Sequence, residues 1–260
     1  AADAFAYAKS DPGVCQTASF LAPYFYEEDN YVDDMELAAA ELFRLSNDST
    51  YLTEAIYWGE LEPVIPWMIR NDARHYQWYP FVNLGHFRVA QLSEPSVKAE
   101  FIGYLKRGIE YLHDRGSKNG FYMGVPFIWC SNNLVAAALT QIHLYAELTG
   151  DRQFAEMEAA LRDWLFGCNP WGTSMIVGYP RNGDTPVDPH SAFTALYGYC
   201  IDGGVVDGPV YASIFNRLRG LRLVNEDEYA EVQSDLGVYH DDYGDYSTNE
   251  PTMDGTASLT

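Results

Sequence analysis

The sequence predicts an all-α fold built from antiparallel helical hairpins, and three observations carry that expectation. Apolar residues recur at helical spacing through the first two thirds of the chain. A helix stop, an aspartate and a fresh helix occur in Leu45-Ser46-Asn47-Asp48-Ser49-Thr50-Tyr51 and again in Leu148-Thr149-Gly150-Asp151-Arg152-Gln153-Phe154. The 260 residues, 47% of them hydrophobic, suffice for a large single core. Repeated hairpins make a bundle, a solenoid or a closed toroid, and periodicity does not choose among the three.

Taken in order, Met35, Ala38, Leu42 and Leu45 define one face of a helix over 33–46. A helix over 76–92 follows, its start blurred by Pro80. Val97, Phe101, Leu105, Ile109 and Leu112 mark another over 94–115. Ser131 is placed to cap a helix with Val135, Leu139, Ile142 and Leu148 inward, closed by Gly150. Asp151 is placed to cap the next, with Phe154, Met157, Leu161 and Trp164 inward and Gly167 at its end. From 167 to 212 glycine and proline come too often for a long helix, and long ordered loops in compact domains are usually functional.

Composition narrows the function classes. A net charge of -21 argues against nucleic acid and against anionic membrane surfaces, both polyanions, and suits a neutral substrate. No apolar run reaches membrane-spanning length and no signal peptide opens the sequence. Twenty Tyr and six Trp supply flat faces of the kind sugar rings stack on, although most such rings in any helical protein line helix contacts. Cys15, Cys130, Cys168 and Cys200 form no CxxC pair, which argues against zinc and leaves buried free thiols or a disulfide.

The densest chemistry lies between Tyr239 and Glu250, where three Asp, one Glu and three Tyr fall within twelve residues lacking Lys and Arg. Like charges this close repel, so at least one carboxyl is expected to hold its proton above its ordinary pKa. A protonated acid beside ionised ones, among aromatic rings, equips a site for glycosidic cleavage. A solvated acidic loop or a Ca²⁺ site would use the same residues.

The pattern Tyr239-x-Asp241, Tyr246, Glu250 and Thr252 resembles an active-site signature of glycoside hydrolase family 9, the cellulase family. The closing Asn and small residue of that signature are matched only by Thr256 and Ala257. Cys168-Asn169-Pro170-Trp171-Gly172 and the segment 174–179 resemble the family's Asn-Pro turn and the strand after it. Pro189-His190 falls where the family places a sugar-holding His. That signature continues to an Arg, yet here Ser191 and Ala192 follow, so cellulose-like specificity is in question.

The resemblance implies an (α/α)6 toroid of helical hairpins and inverting hydrolysis of a β-glycoside, with β-1,4-glucan leading. Exo-action on another β-linked sugar such as glucosamine is the alternative. It implies Glu250 as general acid with burial raising its pKa, Asp241 as the second acidic residue, and His190, Tyr246, Trp129 and Trp171 as substrate contacts. No cofactor is required. Asp202 and Asp207 are candidate ligands of a structural calcium, or equally turn caps. A carbohydrate partner and a secreted or periplasmic location are expected. The family's base motif, Asp-Ala-Gly-Asp, does not occur in these residues. Residues 1–260 are therefore expected to be the C-terminal part of a catalytic domain, without the base and the last helix, and to be unstable or inactive alone. A non-catalytic carbohydrate-binding relative and an unrelated acidic calcium-binding helical domain are the other classes the sequence admits.

Overall fold

The computed structural model describes residues 1–12, 15–16, 27–28, 30–69 and 83–259. It divides into two compact units, Ala1–Tyr111 with Gln141–Arg152, and Leu112–Thr140 with Gln153–Thr260. Helices dominate the first, the second joins shorter helical segments by long loops, and the strands are two residues long.

The first unit opens with α1 (Ala2–Ser10) and an antiparallel pair, β1 (Cys15–Gln16) and β2 (Glu27–Glu28). Next come α2 (Val32–Ser46), α3 (Ser49–Leu61), α4 (Pro66–Ile69) and α5 (Leu84–Leu92). α6 (Pro95–Gly116) and α7 (Ser131–Thr149) each contribute to both units. The α2–α3 turn is written in local chemistry. Asn47 takes the left-handed conformation that ends α2, and Asp48 caps α3 by accepting the Thr50 amide at 3.0 Å. Met35, Ala39, Ala40 and Leu42 of α2 pack with Ala55 and Trp58 of α3, Val89 and Ala90 of α5, and Phe101 of α6.

Polar groups are buried beneath this core. Glu36 of α2 receives His86 Nδ1 at 2.7 Å, while His86 Nε2 faces the Pro63 carbonyl at 3.2 Å. Gly59 and Gly85 leave room for that carboxylate, because a Cβ on either would lie within 2.6 Å of a Glu36 side-chain atom. Burial, with the charges of Glu62 and Asp34 adding to it, pushes Asp33 up to about 8. Burial likewise lifts Glu62 to about 7, against the hydrogen bond that Asn30 donates to it.

The second unit holds α8 (Ala155–Leu165), α9 (Ala192–Tyr197), β3 (Val205–Val206), α10 (Ala212–Phe215), β4 (Pro251–Thr252) and α11 (Met253–Leu259). Trp164 organises its core, stacked on Phe127 at 5.8 Å between centroids and edge-on to Trp171 at 6.0 Å. Met157, Leu161 and Leu165 complete that layer.

Several expectations change. α2 turns Ala39 and Ala40 inward and leaves Ala38 and Leu45 exposed, so its buried face lies a step from the stripe read in the sequence. Residues 76–82 lie outside the described residues, and the helix expected there is described from Leu84. Ser131 is the first residue of α7 and not its cap, because its hydroxyl donates to the Pro209 carbonyl at 2.7 Å. α8 starts later than expected, behind Phe154, and Asp151 instead accepts the Tyr145 hydroxyl at 2.8 Å. Residues 174–179 form no strand of their own, although Ile176 bridges Val205. Cys168 and Cys200 are exposed free thiols, not buried ones, and Cys130 is half-buried and free.

Candidate active site

The segment carrying Glu250 is held by backbone pairing. β3 and β4 are antiparallel, with Val206 opposite Pro251. The pairing continues past the strands, as the Asp207 amide donates to the Glu250 carbonyl and the Gly208 amide to the Thr248 carbonyl, both at 2.9 Å. The first turn of α7 braces this ladder. Asn132 donates its amide to the Asp207 carbonyl at 2.9 Å and its side chain to the Val206 carbonyl at 2.8 Å. Asn133 Oδ1 accepts the Thr252 hydroxyl at 2.7 Å. Gly208, at φ +86, sits so close to Asn132 that a Cβ would lie 2.4 Å from its side chain. Three consecutive buried polar residues, Ser131, Asn132 and Asn133, thus spend their side chains on tertiary bonds, and Ser131 does so in place of the helix cap expected of it.

The three tail aspartates have three different environments. Asp242 is buried and takes the amides of Val224, Asn225 and Gly244, clasping the 222–225 loop to the tail. Asp245 is fully buried and accepts His240 Nδ1 at 2.7 Å, the Ser247 amide and hydroxyl, and the Thr248 hydroxyl at 2.8 Å. Burial works against its charge, yet the donors from His240, Ser247 and Thr248 prevail and hold it below the ordinary carboxylate value. Asp241 is half-buried, and burial raises its pKa even though the amides of Val187 and Asp188 and the side chain of Asn249 donate to it. One carboxyl of the cluster is therefore raised, but by burial first, and the charge that adds to it, Asp188, lies outside the tail.

Asn249, wholly buried, is the residue that sequence reasoning passed over. Its side-chain amide donates to Asp241 Oδ1 at 2.9 Å and to the Asp188 carbonyl at 3.0 Å, and its Oδ1 accepts the Tyr239 hydroxyl at 3.3 Å. Its own carbonyl accepts the His190 amide at 2.9 Å. The only hint in the sequence is its place beside Glu250.

His190, Tyr246 and Trp129 come together. His190 Nδ1 donates to the Tyr243 carbonyl at 2.5 Å, which fixes the ring and leaves Nε2 for another partner. The imidazole stacks on Tyr243 at 5.2 Å and meets Tyr246 edge-on at 6.3 Å. Tyr246 lies nearly parallel to Trp129, 10° apart in plane and 6.3 Å between centroids. Trp171 does not join them. It is buried, its indole N–H donates to Gln233 at 3.1 Å, and its edges meet Trp164 and Tyr239, so it offers no face to a sugar.

Glu250 is exposed, contrary to the burial expected of it. It lies three residues before α11 and lines a cleft of about 620 Å³ together with His190, Phe193, Ile201, Met253 and Thr256. Thr256, expected at the place of an Asn, accepts the Val205 amide at 3.0 Å and donates to the Thr252 carbonyl. Among the described residues no Lys or Arg lines the cleft, where an exposed carboxyl and an imidazole stand among mostly apolar walls.

The two candidate calcium ligands do not converge on one site. Asp202 accepts the Cys200 thiol at 2.5 Å. Asp207 is sealed in the interior, where burial and then the charges of Glu250, Asp254 and Asp245 keep its carboxyl far above the usual range, against a hydrogen bond from Cys130. A neutral carboxyl is a poor calcium ligand. Among the described residues no group of three or more His, Cys, Asp or Glu is placed to hold a metal ion. Among them, too, no helix is long and apolar enough to cross a membrane.

A family model described as Glycosyl hydrolase family 9 matches residues 1–260. Among solved structures, the GH family 9 endoglucanase J30 superposes with a TM-score of 0.74 at 24% identity, over 99% of this chain and 47% of its own. A single mutant (D468A) of a thermostable endoglucanase from Alicyclobacillus acidocaldarius gives 0.73 at 20%, over 98% and 47%. The cellulase Cel9M of C. cellulolyticum in complex with cellobiose gives 0.66 at 20%, over 98% and 54%. These likenesses show the shared fold, and the chain spans about half the length of the structures it matches. No curated protein matches it in sequence.

Proposed function

Because the chain belongs to glycosyl hydrolase family 9, we propose that it carries the acid half of an active site that hydrolyses β-glycosidic bonds, with β-1,4-glucan the leading substrate. The observation that supports this best is the union, in one unit, of the exposed Glu250 and His190 on one cleft, with Tyr246 edge-on to that imidazole and Trp129 stacked on Tyr246 beyond it. In the endoglucanase and cellulase structures the same fold serves glucan cleavage, and one of them holds cellobiose.

Glu250 protonates the departing glycosidic oxygen. Its carboxyl stands on a backbone pinned on both sides, by Asp207 and Gly208 across the ladder and by Asn249 through Asp241 and His190. Asp241 faces the amides of Val187 and Asp188, so it orders the 187–190 loop and, through it, His190. His190 Nε2 is the group free to meet a sugar hydroxyl, and Trp129 and Tyr246 supply the stacking faces. Inversion requires a second carboxyl about 6.5–9.5 Å away to activate water. That base and its motif are taken to lie in the remainder of the domain, and the protein is expected outside the cytoplasm.

The test is hydrolysis of a β-1,4-gluco-oligosaccharide by the protein with its whole catalytic domain and by its Glu250→Gln variant. Turnover should fall by about 10²–10⁴-fold in the variant while oligosaccharide binding persists. Equal turnover by both would refute the assignment. An exo-acting enzyme would be recognised by release of single sugars from one chain end. Binding by both proteins without turnover by either would favour a non-catalytic relative.

A further inference from the structure

We propose that Asp207 is a positioning residue for Glu250, holding the segment that bears the acid from its buried side. The proposal rests on the glycosidase reading above and deepens it. Asp207 and Gly208 grip the carbonyls of Glu250 and Thr248, so the backbone on either side of Asn249 is tied to them. The Asp207 carbonyl is itself held by the first turn of α7 through the Asn132 amide. Its side chain is buried beside the Cys130 thiol, and Cys130 takes a left-handed φ of 54° to bring the chain into α7 at that point. The charged groups acting on Asp207 are Glu250, Asp254 and Asp245, all of them acids.

An ionised carboxylate sealed against three acids would be opposed by desolvation and by repulsion together. Asp207 therefore stands as a neutral carboxylic acid. A neutral group of that shape, buried against the Cys130 thiol, offers one donor and one acceptor and adds no charge to those acting on Glu250 after Glu250 has given up its proton. Burial also pushes the Cys130 thiol well up, with Asp207, Asp254 and Glu250 adding to it, so the neighbour is a neutral thiol.

Two substitutions in the protein with its whole catalytic domain test this. Asp207→Ala keeps the backbone amide but empties the buried place beside Cys130, so the 207–208 segment and the Glu250 carbonyl it holds should shift, lowering kcat by about 100-fold with KM little changed. Asp207→Asn restores a neutral group of the same shape and should recover most of that loss, leaving both limbs of the pH–rate profile in place. Carbon-13 titration of the Glu250 carboxyl, assigned with Glu250→Gln, should give the same midpoint in wild type and Asp207→Asn. A midpoint lowered in Asp207→Asn would show that Asp207 is ionised and acts on Glu250 by charge, which overturns the proposal. Wild-type kcat in Asp207→Ala would overturn it as well. Should the alanine variant fail to fold, the asparagine variant and the titration decide. A Glu250→Gln protein as active as wild type would count against the glycosidase reading alone, and the titration would still decide the state of Asp207.

Discussion

The Asn249 side chain donates to Asp241 across 2.9 Å, and this bond ties the residue next to the acid to the carboxyl that orders the His190 loop. Buried amides with several partners are expensive to disturb, because each abandoned donor or acceptor stays in a place water cannot reach. Asn249→Ala should cost about 3 kcal/mol of stability, read as a lowered denaturation midpoint at constant m-value. Asn249→Asp should be worse for catalysis than for folding, since it sets a second carboxylate against Asp241. Its kcat should fall more than its midpoint implies.

Asp245 contributes stability with a definite sign. Its folded pKa lies below the unfolded value of 3.8, so the contribution is fully present above that value. It is lost as pH falls through the lower, folded pKa. Replacing Asp245 by Ala strips His240, Ser247 and Thr248 of their acceptor, and about 3 kcal/mol should be lost at neutral pH. Acid titration of the variant by circular dichroism should show a shallower decline below pH 3.8 than wild type does.

The first unit should behave in the opposite sense. Asp33 moves from 3.8 to about 8 and Glu62 from 4.5 to about 7, so the folded state binds more protons than the unfolded state between those values. Stability therefore falls as pH rises, from about 4 through about 8 for Asp33 and to about 7 for Glu62. The groups that face them are Asp34, Glu36, His86 and Asn30. Asp33→Asn should flatten that slope and raise the melting temperature at pH 8. Melting scans from pH 5 to pH 8 check it, and an unchanged slope in the variant would contradict the assignment.

Trp129 and Trp171 should separate cleanly. Trp129→Ala removes a half-exposed ring stacked on Tyr246, and KM for oligosaccharides should rise with little change in melting temperature. Trp171→Ala opens the core between Trp164 and Tyr239 and should cost about 3–5 kcal/mol of stability. Its KM should stay near wild type in the fraction that remains folded.

What the sequence discloses and what it hides divide along physical lines. Local chemistry is legible. Asp48 caps α3 as read, Gly150 and Gly167 take the left-handed backbone expected of them, and Phe154, Met157, Leu161 and Trp164 all turn inward. Contacts within the Tyr239–Glu250 segment are local too, as Tyr239 meets Asn249, His240 meets Asp245 and Asp241 meets Asn249. Long-range pairing is not legible. Ser131 reads as a helix cap, and Asn132 and Asn133 carry no sequence signal, until 206–209 and 252 are placed beside them. Trp171 and Trp129 look alike as aromatic residues after loops, and only the packing tells the core ring from the half-exposed one. Leu45 falls on the helical period yet lies exposed, because the neighbours of α2 take the adjacent face.

The central claim is that Glu250 is the proton donor, and its most direct test uses the leaving group. Comparing kcat/KM of wild type and Glu250→Gln on a gluco-oligosaccharide and on a dinitrophenyl β-glycoside separates proton donation from structure. A dinitrophenolate departs without protonation, so the variant should lose about 10²–10⁴-fold on the oligosaccharide and little on the aryl glycoside. An equal loss on both substrates, or none on either, would contradict the role assigned to Glu250.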